Sequence, residues 1–485
     1  MNTELLNRID VWFEDHREEI LNDLIRIVRI PSIAQPDETC APLGPACRQA
    51  MDEMLQIGKE HGFSVENREY YVGTIGLEHK NWDKTIGFWN HLDVVPVGNG
   101  WSHDPFDPYV KEGFLIARGA QDNKGPAIGM LYLMQCIREL GIPMNHELCL
   151  FVGCDEERGM SDLEYYSSKY PFPSLSIIAD SGFPVCYGEK GIIEGWFRSK
   201  QELGSDIIAL NGGVASNIIP DRAAAVLVRS EQLSAELKRC QEAAGEDQIA
   251  ICEEEDTITV TAFGTSKHSA FPEGSVNAIH VLTSFLKDVT VLAETDRVLF
   301  AHLADATSEY YGEAVGIAFE DEVSGKTTCA GTILSMEGRF CCLTLNIRYA
   351  ITADSEAISR NLQTYAEAHG MTWVQERDSK PNYFPKEHPA VDFLTNLYNE
   401  WMGLDTKPFV MGGGTYARKI PNAFAYGIGG MPLTEEDRAN MEKLFTPQTG
   451  GAHQPDEGLN LRQFFEAIKF YTLAIIELDQ HLIEA

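Results

Sequence analysis

No stretch of this chain stays apolar over the roughly 20 residues that a membrane helix needs, so no membrane partner is expected. Basic residues are scarce, with 39 Lys and Arg against 73 Asp and Glu and a net charge of −34. That balance argues against nucleic acid and anionic membrane surfaces as partners, while it suits cation binding. A cysteine framework is also missing. The eleven cysteines are scattered singly, apart from the vicinal Cys341-Cys342, and none shows zinc-finger spacing. Cys149 and Cys341 sit in apolar runs, where a buried free thiol is expected. Met1–Leu6 lacks the layout of a secretory signal. Together these features point to a reducing cytoplasm. Repeats and low-complexity tracts are absent, and Gly412-Gly413-Gly414 is no phosphate loop because no Lys-Ser/Thr follows it.

What is present describes an ordinary globular chain, 44% hydrophobic and 23% charged. A length of 485 residues allows about three domains, or two larger ones. Leu5 to Arg29 has helical periodicity stopped by Pro31, and Ala46 to Lys59 reads as a second amphipathic helix. Strands and helices then alternate: strand Thr85–His91, strand Phe114–Arg118, helix Gly125–Leu140, strand Glu147–Gly153 and strand Ser176–Asp180. Such alternation predicts an α/β sheet with parallel content. Ligands in such sheets bind beyond the carboxyl ends of strands. His91, Asp122, Asp155-Glu156-Glu157 and Asp180 all fall at or just past those ends.

The stretch from Phe88 to Pro126 organises the chain. An apolar strand ends in His91-Leu92-Asp93, and Asp93 is spaced to accept the second ring N–H of a metal-binding His91. Asp122 follows the next strand, just before a helix. The run Asp155-Glu156-Glu157 leaves a strand with three acids together, which is costly unless a cation absorbs the charge or the side chains fan into solvent.

From about Gly191 the pattern changes. Gly195–Arg198, Ala223–Val228, Thr257–Ala262 and Cys341–Tyr349 read as strands, with helices at Val276–Leu286 and Ser355–His369. This is a separate α+β unit. After a turn cluster at Ser379-Lys380-Pro381-Asn382 come the helix Ala390–Met402, the glycine-rich Met411–Tyr416 and a closing amphipathic helix, Leu461–Leu478. Taken singly, His453 and His268 are ordinary structural histidines, Asp180 is a turn acid and Arg348 is an ion-pairing arginine.

Taken together, the motifs resemble one family. His91-Leu92-Asp93-Val94-Val95-Pro96, Gly119-Ala120-Gln121-Asp122-Asn123-Lys124-Gly125-Pro126, Asp155-Glu156-Glu157, Asp180-Ser181-Gly182-Phe183-Pro184, the His268 segment with Asn277-Ala278, and His453 occur in order over nearly the whole chain. They are similar to the co-catalytic zinc peptidases and deacylases related to carboxypeptidase G2, aminoacylase and carnosinase. Within these the best likeness is to the bacterial Xaa-His dipeptidase branch.

That resemblance implies a catalytic α/β domain with a mixed, mostly parallel sheet, interrupted by an α+β lid. The divisions expected are 1–190 and 381–485 for the catalytic domain and 191–380 for the lid. It implies two Zn²⁺ per chain, with Mn²⁺ or Co²⁺ as alternatives. Asp122 would bridge them, with His91 and Asp180 completing one site and Glu157 and His453 the other. Glu156 is the implied general base, acting on a water held by the two metals. Asp93 would steady His91, and His268 would stabilise the oxyanion. Asn217 would reach the scissile group, while Arg348 and Gly413-Gly414-Thr415 would grip the substrate's terminal carboxylate. A cis peptide between Asp122 and Asn123 is implied as well.

The substrate expected is a short unblocked dipeptide, cleaved by a monomer rather than a homodimer. The alternatives are an N-acyl amino-acid deacylase using the same metal site and, less favoured, a degenerate member that binds metal or peptide without turnover. Three departures bear on these. Asn123 and Gly182 stand where acids are usual, and Arg158 after the acid triplet puts a cation near Glu156.

Overall fold

The computed structural model describes residues 3–37, 40, 42–76, 81–244 and 248–484. Met1 and Asn2, part of the segment read above for a signal, lie outside them. The chain divides into two compact units. One comprises the chain as far as Tyr187, Tyr383–Phe409 and the chain from Gly414 onward; the other comprises Gly188–Asn382 and Val410–Gly413.

The first unit is built on a mixed sheet. Seven of the nine strands of this sheet run in the order Ser64–Arg68, Val72–Gly76, Glu147–Gly153, Thr85–His91, Leu175–Ile178, Ala423–Ala425 and Cys186–Glu189, with the short Asn382–Tyr383 and Phe409–Met411 both paired to the last. Pairing is parallel through the centre, where Thr85–His91 lies between Glu147–Gly153 and Leu175–Ile178, and antiparallel toward both edges. All seven residues of Thr85–His91 are buried, as a central strand covered on both faces requires. Trp89 stacks on Phe151 with ring centroids 4.1 Å apart.

The helix Lys124–Glu139 is buried on every side from Lys124 to Ile137, so its apolar run reflects enclosure rather than one packed face. The N-terminal periodic stretch splits into Thr3–Asp15 and Arg17–Val28. His16 sits between them, its ring stacked on Trp12 and its Nδ1 2.7 Å from the Trp12 carbonyl. Among the described residues no helix is long and apolar enough to cross a membrane. All eleven cysteines are free thiols; Cys341 is buried and Cys149 half-buried.

The second unit is an eight-stranded antiparallel sheet, in the order Ile249–Glu253, Thr257–Phe263, Arg222–Val228, Ile207–Gly212, Thr328–Glu337, Phe340–Tyr349, Gly191–Ser199 and Met371–Ser379. Burial alternates along Gly191–Ser199 and Arg222–Val228, the mark of a sheet with one packed face. Leu282 of Ala278–Leu286, Phe300 of Glu294–Ala306 and Leu362 of Ser355–Ala368 share a core with the strand residues Ile193, Val260 and Leu345. Asn277 caps the first of these helices, its side chain accepting the Ile279 N–H.

Candidate active site

The parallel strands set the site. His91 pairs with Gly153 at the carboxyl ends of adjacent strands, so His91 and the loop Cys154–Glu157 leave the sheet side by side. Leu175–Ile178 ends beside them and delivers Asp180. Asp122 comes from the turn before Lys124–Glu139, across a cis peptide to Asn123. His453 arrives from the loop ahead of Gly458–Asn460 in a left-handed conformation, φ 64°, uncommon for a non-glycine residue.

These five side chains converge within the first unit. The two oxygens of Asp122 face two different imidazoles: Oδ1 lies 2.9 Å from His91 Nε2, and Oδ2 lies 2.9 Å from His453 Nε2. His453 Nε2 is also 2.8 Å from Glu157 Oε1, and His91 Nε2 is 3.7 Å from Asp180 Oδ2. Donor atoms of His91, Asp122 and Glu157 lie within 4.8 Å of one another, as do those of His91, Glu156 and Asp180. Glu156 therefore points into the same cluster.

The electrostatics follow from gathering four half-buried carboxylates around two imidazoles, His91 buried and His453 partly open to solvent. Burial alone would lower the pKa of His453, but its contacts with Asp122 and Glu157 lift it to about 11. His91 is raised well above its usual value against the same burial penalty, by Asp122, Asp93 and Asp180. Burial pushes Glu156 well up, with Asp180, Glu157 and Asp122 adding to it against the pull of His91. Burial and the charge of Asp122 bring Asp180 to about 7. Asp122 goes the other way: its contacts with the two imidazoles outweigh its burial and hold it low. A cage that raises proton affinity on both imidazoles also favours a cation between them. Imidazole and carboxylate donors without thiolate suit a hard or borderline divalent ion.

The neighbours of the cluster differ from expectation in two places. The His91 Nδ1 partner at 2.9 Å is the Asp93 backbone carbonyl, with the Asp93 carboxylate at 3.4 Å. That carboxylate also accepts the backbone N–H groups of Glu156 and Glu157, at 3.2 and 3.1 Å. Asp93 thus steadies the acidic loop as well as the histidine. Arg158 does not place its cation on Glu156: its Nε donates to Asp155 Oδ1 at 2.9 Å. Three residues apart at the start of a helical turn, the two side chains meet directly, and Asp155 turns away from the cluster.

Asn123, standing where an acid is usual, is fully buried and serves as a donor. Its Nδ2 reaches Asp180 Oδ1 at 2.8 Å and the Ala179 carbonyl at 2.9 Å. Gly182 pairs with Gly429; a Cβ there would meet nothing closer than the Gly429 carbonyl oxygen at 3.6 Å, so packing does not demand a glycine.

Residues not singled out in the sequence hold the loops. Asp162 accepts the backbone N–H groups of Cys154 and Asp155, at 2.8 and 3.0 Å, and the hydroxyl of Tyr416. Two buried carboxylates, Asp93 and Asp162, thereby bind four consecutive N–H groups of the acidic loop. A Cβ on Gly153 would collide with both Asp162 and Tyr416, which accounts for glycine at that strand end. Glu457 accepts from Gln121 N at 2.8 Å and Asp122 N at 3.2 Å, and pairs with Arg118 at 2.8 Å. A turning loop must find acceptors for its N–H groups, and that requirement is readable in sequence. Which distant acid meets it is not.

Arg118 and Glu457 are 1% and 0% exposed. Removing one partner of such a pair strands a buried charge, at a cost of about 3–5 kcal/mol. Glu457→Ala is expected to lose that much stability, read from the urea midpoint at constant slope. A midpoint equal to that of the unmodified protein would show that the pair does not tie these loops together.

The second unit brings Asn217, His268 and Arg348 into one network. The strand pair Ile218–Ile219 with Lys267–His268 sets Ile218 opposite His268, and Ser269 N donates to the Asn217 carbonyl at 2.9 Å. His268 Nδ1 accepts the Ala270 N–H at 3.1 Å, so in a neutral ring the proton belongs on Nε2. Arg348 is buried; its Nε donates to Asn346 Oδ1 at 2.8 Å and its Nη1 to the Gly412 carbonyl at 3.0 Å.

The glycine-rich loop does not belong wholly to the first unit, as the 381–485 boundary expects. Gly413 falls with Arg348, and Gly414 and Thr415 with the first unit. Lys190 N binds the Met411 carbonyl at 2.9 Å, and a Cβ on Gly412 would come 2.6 Å from that of Ala270. Thr415 caps the short helix Tyr416–Arg418.

A family model described as Peptidase family M20/M25/M40 matches residues 87–477, most of the chain. The chain belongs to this peptidase family. It is 30% identical over 478 residues to the Bacillus subtilis (strain 168) protein named "Putative dipeptidase YtjP", covering 95% of this chain and 97% of that protein. Among solved structures, the di-peptidase Dug1p from Saccharomyces cerevisiae aligns with a TM-score of 0.58 at 14% identity, covering 98% of both chains. Human carnosine dipeptidase 1 aligns with a TM-score of 0.55 at 14% identity, over 98% of this chain and 99% of that one. The two structures share the fold of the family.

Proposed function

We propose that this chain is a metal-dependent dipeptidase that hydrolyses the amide bond of short unblocked peptides. One observation carries the reading: a single half-buried carboxylate, Asp122, presents its two oxygens to two different imidazoles at 2.9 Å each. Membership of a peptidase family and the dipeptidase names of its relatives support it. His91, Asp180 and Asp122 would hold one cation, and Glu157, His453 and Asp122 the second; Zn²⁺ is the first choice and Mn²⁺ or Co²⁺ also suit these donors. Bound there, the ions would acidify water and polarise the amide carbonyl.

The protein's own groups would do the rest. Glu156 takes a proton from the attacking water and passes it to the leaving amine. Asp93 steadies both His91 and the loop carrying Glu156. His268, with its proton on Nε2, donates to the developing oxyanion, and Asn217 reaches the scissile group. Arg348 with Gly413, Gly414 and Thr415 receives the substrate's terminal carboxylate. We assign the activity to a monomer in a reducing cytoplasm, in keeping with eleven free thiols.

The test is a panel of dipeptides and N-acyl amino acids assayed with added Zn²⁺, Mn²⁺ or Co²⁺. Turnover of free dipeptides is expected. Turnover of N-acetyl or N-succinyl amino acids alone would move the activity to deacylation, and no turnover with any metal would leave a binding protein. Chelation should abolish activity and lower the melting temperature, because an ion at 100-fold its Kd stabilises the native state by about 2.7 kcal/mol. Full activity after exhaustive chelation would rule out the metal.

A further inference from the structure

Beside the site, wholly within the first unit, lies a cavity of about 840 Å³. Pockets for small ligands span about 300–1,000 Å³, so this one holds far more than a peptide bond. Its apolar wall is built from Phe114, Met431, Leu433, Phe445, Leu459 and Phe464. Phe114 meets Phe445 edge to face, with ring centroids 5.4 Å apart. The wall also includes Gly429 and Gly430, with no side chains to fill the space. The charged residues lining it are Asp122 and Asp180, at the metal-binding end, and Glu442; among the described residues no lysine, arginine or histidine lines it.

Position decides which end of the substrate the cavity serves. A peptide carbonyl acted on at the site must lie against Asp122 and Asp180, and both line the cavity. Gly414 and Thr415, assigned to the terminal carboxylate, do not line it. The cavity therefore lies on the acyl side of the scissile bond. We propose that it receives the side chain of the substrate's N-terminal residue and selects large apolar side chains, an inference that rests on the dipeptidase reading above.

Two physical effects set the selection. A leucine or phenylalanine side chain leaves water against an apolar wall, while glycine leaves the space unfilled. Met431 and Met441, flexible and polarisable, let the wall fit differently shaped residues. Away from the metal-binding end, an acidic side chain or a succinyl group would bring a carboxylate against an apolar wall that offers no cationic side chain and already contains Glu442, which disfavours it.

The experiment measures kcat/KM of the metal-loaded full chain for Leu-Ala, Phe-Ala, Gly-Ala and Asp-Ala, with N-succinyl-alanine and N-acetyl-leucine alongside. Leu-Ala and Phe-Ala should exceed Gly-Ala by about 10- to 100-fold, and Asp-Ala and N-succinyl-alanine should fall at or below Gly-Ala. Met441 lines the cavity from the exposed helix Glu435–Leu444. Met441→Arg supplies the missing cation and should raise Asp-Ala relative to Leu-Ala by about 10-fold or more.

Equal rates on Gly-Ala and Leu-Ala, efficient cleavage of Asp-Ala by the unmodified protein, or an unchanged ratio in Met441→Arg would each overturn the assignment while leaving a dipeptidase. Turnover of the N-acyl amino acids without any dipeptide would instead overturn the reading on which it rests.

Discussion

Glu156→Gln is expected to lower kcat by about 10²–10⁴-fold, the usual contribution of a positioned acid–base group, with divalent-metal content close to that of the unmodified protein. The two adjacent glutamates differ in their contacts. Glu157 Oε1 lies 2.8 Å from His453 Nε2, so its carboxylate belongs to the imidazole pair that would hold an ion. Glu156 is fixed through its backbone N–H on Asp93 at 3.2 Å, and its side chain enters the cluster beside His91 and Asp180. Glutamine preserves that shape and cannot accept the proton. Glu157→Gln should lose metal and activity together. Metal analysis by atomic emission, run beside steady-state rates on one dipeptide, separates the two residues. Near-normal turnover by Glu156→Gln would discard it as the base, and loss of metal from that variant would make it a ligand.

Arg348→Met should erase the protein's preference for a free C-terminus. The guanidinium is pre-positioned: Nε is held by Asn346, Nη1 by the Gly412 carbonyl, and Asn346 in turn by Ser269 Oγ at 2.7 Å and Glu194 at 2.6 Å. A planar donor held this way loses little freedom on taking a carboxylate. Breaking a desolvated charge pair costs about 3–5 kcal/mol, roughly 10²–10⁴-fold in kcat/KM.

The unmodified protein should accordingly cleave Leu-Ala far faster than its amide and leave tripeptides nearly untouched, since an extended chain would bury backbone groups without partners. In Arg348→Met, Leu-Ala and Leu-Ala-amide should both be slow and nearly equal. Equal turnover of the two by the unmodified protein would remove the carboxylate clamp.

The sequence alone determined the family, the mixed α/β character and the central elements. Thr85–His91 and Glu147–Gly153 are contiguous apolar runs closed by polar residues, so their ends are visible locally, and the structure begins and ends them at the same residues. The edge strands Ser64–Arg68 and Met371–Ser379 are largely polar and partly exposed; hydrogen bonds to one neighbouring strand define them, and side-chain periodicity says little. The one periodic stretch from Leu5 to Arg29 hides a break at His16, because two successive helices can keep the same packed face.

The types of side chain in the candidate site were legible, because metal-binding chemistry restricts them to histidine and carboxylate at strand ends. Their partners were decided only by the tertiary structure. Arg118 meets Glu457 across 339 positions and Tyr416 meets Asp162 across 254. The Asp93 carboxylate serves the acidic loop, Arg158 turns to Asp155, and the apolar cavity draws its wall from segments between Phe114 and Phe464. Local sequence fixes which groups need a hydrogen bond or a counter-charge. Which group supplies it depends on how the chain closes over hundreds of residues, and buried polar groups accept whichever partner that closure brings within about 3 Å.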